Sequence, residues 1–278
     1  AHVVYVGRSI YVHRCSAVPV TDWTGPRLFF GGEVYNLMPM NTFPIMFGRR
    51  SVKIKSGDLL SAVRLKLEIK KETEICLGIF ADAFIIDWGD GESGTQFEHY
   101  YEQPGYYTLK IVGAAIHALD LSKIHLKEIV FENCIWLEHL RCSQNQLREL
   151  SLDQLPELVT LDCSGNHLEE LNLEKNNCLH WLDCSRNALY SLKLSPVSQL
   201  AYLYCSCNHL KELNFSMCKK LYCLDIGYNE LQAQELNICF AGLHQVRGAL
   251  RAGIMLEGNP GDQKCKLDIL HIRGWVIS

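Results

Sequence analysis

Residues 137–152 read LEHLRCSQNQLRELSL, and this pattern returns four more times along the chain. The later copies are LVTLDCSGNHLEELNL (158–173), LHWLDCSRNALYSLKL (179–194), LAYLYCSCNHLKELNF (200–215) and LYCLDIGYNELQAQEL (221–236). Equivalent positions lie 21 residues apart and follow the template L-x-x-L-x-C-S-x-N-x-L-x-x-L-x-L. The cysteine position holds Cys142, Cys163, Cys184, Cys205 and Ile226, and the asparagine position holds Asn145, Asn166, Asn187, Asn208 and Asn229. Five copies in register predict a repeat protein.

A unit of 21 residues is too short to bury its own apolar side, whereas stacked units form a continuous core. Each asparagine is predicted to satisfy backbone groups where the chain turns off its strand. The first turn begins near Ile116 and is atypical, and after the fifth copy the strand pattern returns only at residues 254–259. The side chains predicted to point inward are Leu140, Cys142, Leu147, Leu150 and Leu152 with their equivalents.

This pattern resembles the leucine-rich-repeat family over residues 114–278. The resemblance implies a right-handed solenoid in which each repeat gives one short strand to a parallel, concave sheet. The sequence GNPG (258–261), followed by Cys265 and GWV (274–276), is similar to the closing segment of leucine-rich-repeat proteins from anaerobic gut bacteria. Apolar residues at helical spacing between 232 and 244 predict a helix that, with a final strand, covers the open end.

The chain has 13 cysteines, and their positions are more informative than their number. The four in the repeats are predicted to form a buried ladder of small apolar side chains, because parallel side chains are poorly placed for disulfides. A metal ladder is the alternative, but the C-x-x-C spacing typical of zinc sites does not occur. We therefore predict no metal and no cofactor. A second inward column is expected at Cys134, Leu155, Val197, Cys218 and Cys239, interrupted by Asn176.

A second motif lies upstream of the repeats, where FIIDWGDGE (84–92) is followed by FEHYY (97–101) and PGYYTLKI (104–111). These residues resemble the polycystic-kidney-disease (PKD) type module, whose signature combines D-W-G-D-G, H-x-Y and P-G-x-Y-x-L. The resemblance implies an immunoglobulin-like β-sandwich in residues 49–113 that serves as a spacer or an adhesion unit. Alternating apolar and polar residues at 52–55 and 63–69 predict further strands.

Two other interpretations of this motif are weaker. The stretch GDGESG (89–94) matches G-x-G-x-x-G, but a strand pattern follows where nucleotide binding requires a helix. The carboxylates of Asp87, Asp90 and Glu92 lack the spacing of an EF-hand loop, so a tight Asp-Gly turn is predicted and calcium binding is the alternative. Residues 1–48 carry no motif, with one or two strands predicted within 2–13. They are expected to be β-rich, either as a separate small module or as part of the sandwich.

Several function classes are disfavoured by the sequence. A net charge of −4 argues against a nucleic-acid binder that relies on a basic face. Apolar runs fall short of the roughly 20 residues that span a bilayer, so direct membrane insertion is not predicted. The motifs G-x-S-x-G, H-E-x-x-H and G-x-x-x-x-G-K-[ST] do not occur. An enzyme is therefore not predicted, and the alternative is an enzyme whose site lies in residues 1–48 and the sandwich.

The residues that flank the inward leucine of each strand are predicted to face the concave side of the sheet. Trp181, Tyr202 and Tyr204 would form an exposed aromatic cluster there, as is typical of an interaction hot spot. Aromatic residues on a sheet also stabilise strand pairing without binding anything. The predicted binding residues are Trp181, Tyr202, Tyr204, Tyr228, Asp162, Asp183, Asp225, Arg141 and Arg186.

A protein is the favoured partner of this face. A glycan is the alternative, because aromatic rings beside carboxylates also suit sugars. The family resemblance, and not the composition, implies an extracellular or bacterial cell-surface location. The sequence thus predicts a β-rich, non-enzymatic interaction protein.

Overall fold

The computed structural model describes residues 60–196, 198–246 and 252–277, together with four strands nearer the start of the chain. The chain divides into two compact units, Ala1–Met46 and Phe47–Ser278. In the first unit, β1 (His2–Val6) pairs antiparallel with β2 (Ser9–His13), and β3 (Arg27–Phe30) pairs antiparallel with β4 (Glu33–Asn36). The strand prediction for residues 2–13 is therefore confirmed as a hairpin.

Within the described residues, the second unit begins with two antiparallel arrangements of strands. The larger sheet has the order β11 (Leu126–Glu132), β5 (Ser61–Ile69), β10 (Gly105–Asp120), β7 (Gly78–Asp87) and β8 (Ser93–Gly94). The smaller sheet pairs β6 (Thr73–Cys76) with β9 (Glu98–Tyr101). Apolar residues of both sheets belong to one hydrophobic core. The predicted strand at 63–69 lies in β5, whereas the one predicted at 52–55 lies outside the described residues.

Strand β5 shows why this part of the chain folds as a sheet. Its side chains alternate between the core, as for Val63 and Leu65, and solvent, as for Arg64 and Lys66. On the solvent side, Arg64 forms an ion pair with Glu132 of β11, and Lys66 Nζ lies 2.6 Å from a carboxylate oxygen of Glu128. The core side supplies the stability of the pairing, because exposed ion pairs contribute only about 0–1 kcal/mol each.

The D-W-G-D-G motif forms the turn between β7 and β8, as predicted. Gly89 and Gly91 have φ values of 82° and 100°, which favour glycine. The Trp88 ring is buried and stacks on the His99 ring at a centroid distance of 4.7 Å. His99 Nε2 lies 2.6 Å from Asp90 Oδ2, and Tyr101 Oη donates a hydrogen bond to the Trp88 carbonyl at 2.6 Å. The motif therefore fixes this turn onto the core, and the PKD-type identity of the module stays a prediction.

Strand β10 belongs to both parts of the second unit. Residues 105–113 pair antiparallel with β5, and residues 118–120 pair parallel with β12 (His139–Arg141), the first strand of a complete repeat. The same end of β10 pairs on its other side with residues 78–80 of β7. The predicted boundary between residues 113 and 114 thus lies inside strand β10, whose pairing with β7 continues on both sides of it with a register shift between Ile116 and Ala118.

The repeats form the leucine-rich-repeat solenoid that the sequence predicts. From β12 the parallel sheet continues through strands that pair at equivalent repeat positions: β13 (Thr160–Asp162), β15 (Trp181–Asp183), β17 (Tyr202–Tyr204), β18 (Cys223–Asp225), β19 (Ala252–Met255) and β20 (Trp275–Ile277). A second, two-stranded parallel sheet pairs β14 (Glu170–Asn172) with β16 (Ser191–Lys193). Two helices follow near the end, α1 (Ala233–Gly242) and α2 (Asp268–Ile272).

Each repeat asparagine bridges two consecutive turns, and all are buried except Asn187, which is half-buried. Asn166 Oδ1 accepts a hydrogen bond from Leu147 N–H at 3.0 Å, while Nδ2 donates to the carbonyls of Cys142 at 2.9 Å and Cys163 at 3.0 Å. The same arrangement recurs at Asn187, Asn208 and Asn229. One side chain thereby satisfies backbone groups that the interior hides from water. The prediction for the asparagine column is confirmed.

The four repeat cysteines lie in the core, each fully buried. They are free thiols, as are the other cysteines that the structure describes. Burial raises the pKa of each ladder thiol, so all four stay protonated and fill space as small apolar groups. In the second column, Cys134, Leu155, Cys218 and Cys239 are buried, and Val197 lies outside the described residues.

Asn176 replaces an apolar residue in that second column and is nevertheless buried. Its Nδ2 donates hydrogen bonds to the carbonyls of Leu152 at 3.2 Å and Leu155 at 2.8 Å. Cys178, two residues later, is exposed. The polar side chain is tolerated because backbone carbonyl oxygens of the preceding turn accept its hydrogen bonds.

The last complete turn is longer because helix α1 is inserted in it. Leu236, Cys239 and Phe240 are its buried residues, and Leu243 follows them into the core. Asn259 continues the asparagine column across the insertion, since its Nδ2 donates to the Ile226 carbonyl at 2.9 Å. A Cβ atom at Gly261 would collide with the backbone at the start of α1, which explains the glycine in GNPG. The predicted helix and final strand are confirmed.

Replacing Asn166 with Ala should destabilise the protein by about 2–4 kcal/mol, because buried N–H and carbonyl groups of two turns lose their partner. The matched control is Asn172→Ala, which removes an exposed side chain that accepts one hydrogen bond from Glu174 N–H. Urea unfolding followed by circular dichroism measures the difference. Equal unfolding midpoints for the two variants would contradict the role given to Asn166.

The four ladder thiols should resist alkylation by iodoacetamide in the native protein and react once urea unfolds it. Their burial withholds the thiolate that the reagent needs. Cys207 is exposed and serves as the internal control that reacts in both conditions. Peptide mass spectrometry separates the sites, and native labelling of Cys163 or Cys184 at the rate of Cys207 would disprove the buried ladder.

Candidate binding face

The concave face is the side of the parallel sheet opposite the core leucines. Leu140, Leu161, Leu182, Leu203 and Leu224 are fully buried, so the residues on either side of each leucine point to the concave face. Two columns result from the strand register. The first column is His139, Thr160, Trp181, Tyr202 and Cys223. The second column is Asp120, Arg141, Asp162, Asp183, Tyr204 and Asp225.

The concave face also extends onto the antiparallel sheet. Ile79 of β7 pairs with Leu119 of β10, and both side chains are buried. Their neighbours Phe80 and Ala118 therefore lie on the concave side, where the Phe80 ring contacts the His117 ring at a centroid distance of 5.7 Å. The candidate surface therefore continues from the first repeat onto the antiparallel sheet.

The aspartates of the second column shape the bend at the end of each strand. Asp162 Oδ1 accepts hydrogen bonds from Ser164 N–H and Oγ, at 3.1 and 2.7 Å. Asp183 Oδ1 does the same with Ser185, at 2.9 and 2.6 Å. Sequence reasoning assigned these carboxylates to binding alone and missed this turn-capping role. The signal was present as Asp followed two residues later by Ser, a spacing typical of side-chain-capped turns.

Arg141 neutralises the early part of the second column. Its Nη1 lies 3.3 Å from Asp120 Oδ2, and its Nε lies 3.6 Å from Asp162 Oδ2. Further along, Asp225 uses both carboxylate oxygens, accepting from Gly227 N–H at 3.0 Å and from Ser206 Oγ at 2.7 Å. Asp183 lies between these two groups of contacts.

Asp183 is the least compensated carboxylate of the column. Among the residues that the structure describes, its Oδ1 is bonded to Ser185 and its Oδ2 has no hydrogen-bond partner. Burial raises the pKa of Asp183 above its ordinary value, and the neighbouring charges of Asp162 and Asp225 raise it further. The hydrogen bonds from Ser185 offset only part of this shift. The ionised form of Asp183 therefore lowers the stability of the folded protein.

The aromatic residues are arranged differently from the prediction. The Trp181 ring contacts the Tyr204 ring at a centroid distance of 5.9 Å, and Tyr204 Oη lies 3.4 Å from Cys223 Sγ. Trp181 and Tyr204 are half-buried, but Tyr202 is only 3% exposed, and its buried hydroxyl has no hydrogen-bond partner among the described residues. The expectation that Tyr202 is exposed is wrong, because neighbouring rings cover it.

Those covering rings belong to His180 and Tyr222, which sequence reasoning missed. Both are exposed, and their centroids lie 5.9 and 4.6 Å from that of Tyr202, in edge-to-face arrangements. Each lies one residue before the first-column position of its strand. Only the repeat register could have predicted that these two rings lie beside Tyr202. The exposed aromatic patch is defined here as the exposed rings of His180 and Tyr222 together with the half-buried rings of Trp181 and Tyr204, and it spans three adjacent strands.

Tyr228 and Arg186 lie beside the concave face, on the bends that follow β18 and β15. Both are exposed and have φ values of 52° and 56°, in the left-handed region. A Cβ atom on Gly258 would meet the Tyr228 ring, so that ring lies against the next turn. Arg186 forms no ion pair within the described residues. These two predicted site residues therefore flank the aromatic patch without being part of the strands.

Two further observations concern metals and membranes. Within the described ranges, His, Cys, Asp and Glu side chains form no group of three or more that could hold a metal ion. The described helices include none long and apolar enough to cross a membrane.

Comparison with protein-family models gives no match, and comparison with curated proteins gives none either. Among solved structures, the chain is similar to the functional domain of InlJ from Listeria monocytogenes, a structure described as including a cysteine ladder. The two chains are 20% identical with a TM-score of 0.35, and the match covers 52% of this chain and 39% of the InlJ chain. The match thus spans about two fifths of that neighbour.

Replacing Asp183 with Asn should stabilise the protein at neutral pH while keeping the turn, since an amide oxygen still accepts from Ser185. Because the pKa of Asp183 is raised in the folded state, the wild-type protein loses stability as the pH rises from 3.8, the ordinary pKa of this carboxyl group, through the raised pKa. The melting temperature of the variant should therefore exceed that of the wild type more at about pH 7 than at about pH 3.5. A difference in melting temperature that does not change with pH would contradict this assignment.

Proposed function

We propose that this chain is a non-enzymatic interaction protein, secreted or held at a bacterial surface, that binds a macromolecular partner on its concave face. The observation that carries the proposal is the exposed aromatic patch on three adjacent strands, bordered by the carboxylates of Asp183 and Asp225. Aromatic residues with a polar border are enriched in binding hot spots. The surface location follows from the family resemblance, with the PKD-like module serving as the spacer.

A protein partner is favoured over a glycan by the ring geometry. The planes of the two patch rings Trp181 and Tyr204 are inclined by 50°. A polysaccharide site would present coplanar rings along a groove, on which successive sugars stack. Inclined rings on a broad sheet instead offer the irregular contacts that protein side chains fill.

The test compares binding of the wild-type chain and a Trp181→Ala/Tyr222→Ala variant to a protein array and a glycan array in parallel. Tyr202 is left in place because emptying a buried position would destabilise the sheet. Protein ligands of the wild type should lose about tenfold or more in affinity for the variant, as expected for hot-spot residues.

The matched control is Tyr190→Ala. Tyr190 is 57% exposed, stacks on His209 and lies next to the second, two-stranded sheet, away from the concave face. Unchanged binding by the double variant would disprove the site. Binding confined to glycans and lost in the double variant would establish the glycan alternative instead.

A further inference from the structure

We infer that Asp183, together with Trp181 and Tyr204, forms an anchor for a cationic side chain of the partner, an arginine or a lysine on a basic protein segment. This inference rests on the proposed function, because it names the chemistry of the partner that the concave face accepts. Three independent features of the face carry it: the balance of charge along the second column, the free carboxylate oxygen, and the position of the two rings.

The charge balance of the second column is negative. Its carboxylates are Asp120, Asp162, Asp183 and Asp225, and the cation among them is Arg141. Arg141 lies between Asp120 and Asp162 and contacts both, so these two carboxylates balance its positive charge at one end of the column. A partner with complementary charge must therefore be positive at the other end, where Asp183 and Asp225 lie.

The free oxygen distinguishes Asp183 from its neighbours. The second oxygen of Asp162 faces Arg141, and that of Asp225 accepts the Ser206 hydroxyl. The second oxygen of Asp183 has no partner within the described part of the chain. A charged N–H donor from outside would complete its hydrogen bonding, and bonds of this type are about twice as strong as neutral ones.

The two rings flank this carboxylate. Trp181 lies two residues before Asp183 on the same face of β15, and Tyr204 pairs directly with Asp183 across the strand register. The rings also contact each other, with 5.9 Å between their centroids. Tryptophan and tyrosine attract cations over their faces, and a planar guanidinium can stack on a ring while it bonds to a carboxylate. The arrangement thus suits arginine best.

The stability of the free protein supports the same conclusion. Burial and neighbouring carboxylates disfavour the charged form of Asp183, although an uncharged asparagine oxygen could also accept the hydrogen bonds from Ser185. The negative charge is therefore unfavourable for the fold. A bound cation would offset this cost, which gives the charge a role in recognition.

The test measures fluorescence anisotropy of a labelled Gly-Ser peptide that carries two arginines, against the same peptide with citrulline at both positions. Citrulline keeps the shape of arginine and removes its charge. The arginine peptide should bind the wild type at low salt and bind about tenfold or more weakly to Asp183→Asn or Trp181→Leu. The citrulline peptide should bind the wild type as weakly as the arginine peptide binds Asp183→Asn.

Two control variants separate a local anchor from general electrostatic attraction. Asp153→Asn removes an exposed charge that pairs with Lys175 at 2.8 Å, and Glu174→Gln removes another exposed charge outside the second column. Both should retain affinity within about threefold of the wild type. Loss of binding in Asp153→Asn equal to that in Asp183→Asn, equal binding of the citrulline peptide, or no binding of the arginine peptide would overturn the inference.

Binding of a protein ligand identified on the protein array distinguishes failure of this inference from failure of the proposed function. If a protein ligand is lost in Trp181→Ala/Tyr222→Ala but retained in Asp183→Asn, the concave face is the binding site and the cation anchor is wrong. If the ligand is retained in all variants, the proposed function itself fails.

Discussion

A buried amide between consecutive turns is the interaction on which the solenoid depends. At each bend the backbone leaves its strand inside the protein, where its N–H and carbonyl groups find no water. The asparagine side chain accepts from one turn and donates to two, so it joins neighbouring repeats as it satisfies them. Leucine and cysteine side chains fill the interior around it. The buried leucines and the asparagines recur at the same 21-residue interval, so together they hold neighbouring strands in register.

The two ends of the repeat stack are closed by different means. At the beginning, β10 and β7 bring an antiparallel sheet against the first repeat, so the edge strand already has a partner. At the end, the longer turn with α1 and the following β20 pack Phe240, Leu270 and Trp275 into the core. Repeat proteins need such ends because each repeat otherwise leaves one apolar side uncovered.

Much of this fold could be predicted from the sequence, because the repeat imposes the same contact at every turn. Leu140, Cys142 and Asn145 are interpretable as inward residues from a single copy, and their burial follows in the others. The shared strand β10 was not predictable, since its final residues look only like a degenerate repeat. The candidate site was predicted in part: periodicity assigns Tyr202 to the concave side but does not report that His180 and Tyr222 cover it. The capping of bends by aspartates was likewise missed, because a carboxylate beside an aromatic residue was interpreted only as a ligand contact.

The shared strand has a mechanical consequence for the second unit. Because β10 takes part in both sheet arrangements, no loop separates them, and the register shift between Ile116 and Ala118 lies within the strand. The orientation of the concave face relative to the antiparallel sheet is therefore set by the backbone hydrogen bonds of β10. A chimera that grafts these repeats onto another scaffold must carry β7 and β10 as one piece, since a cut after residue 113 would divide a single strand and leave the first repeat without its neighbour.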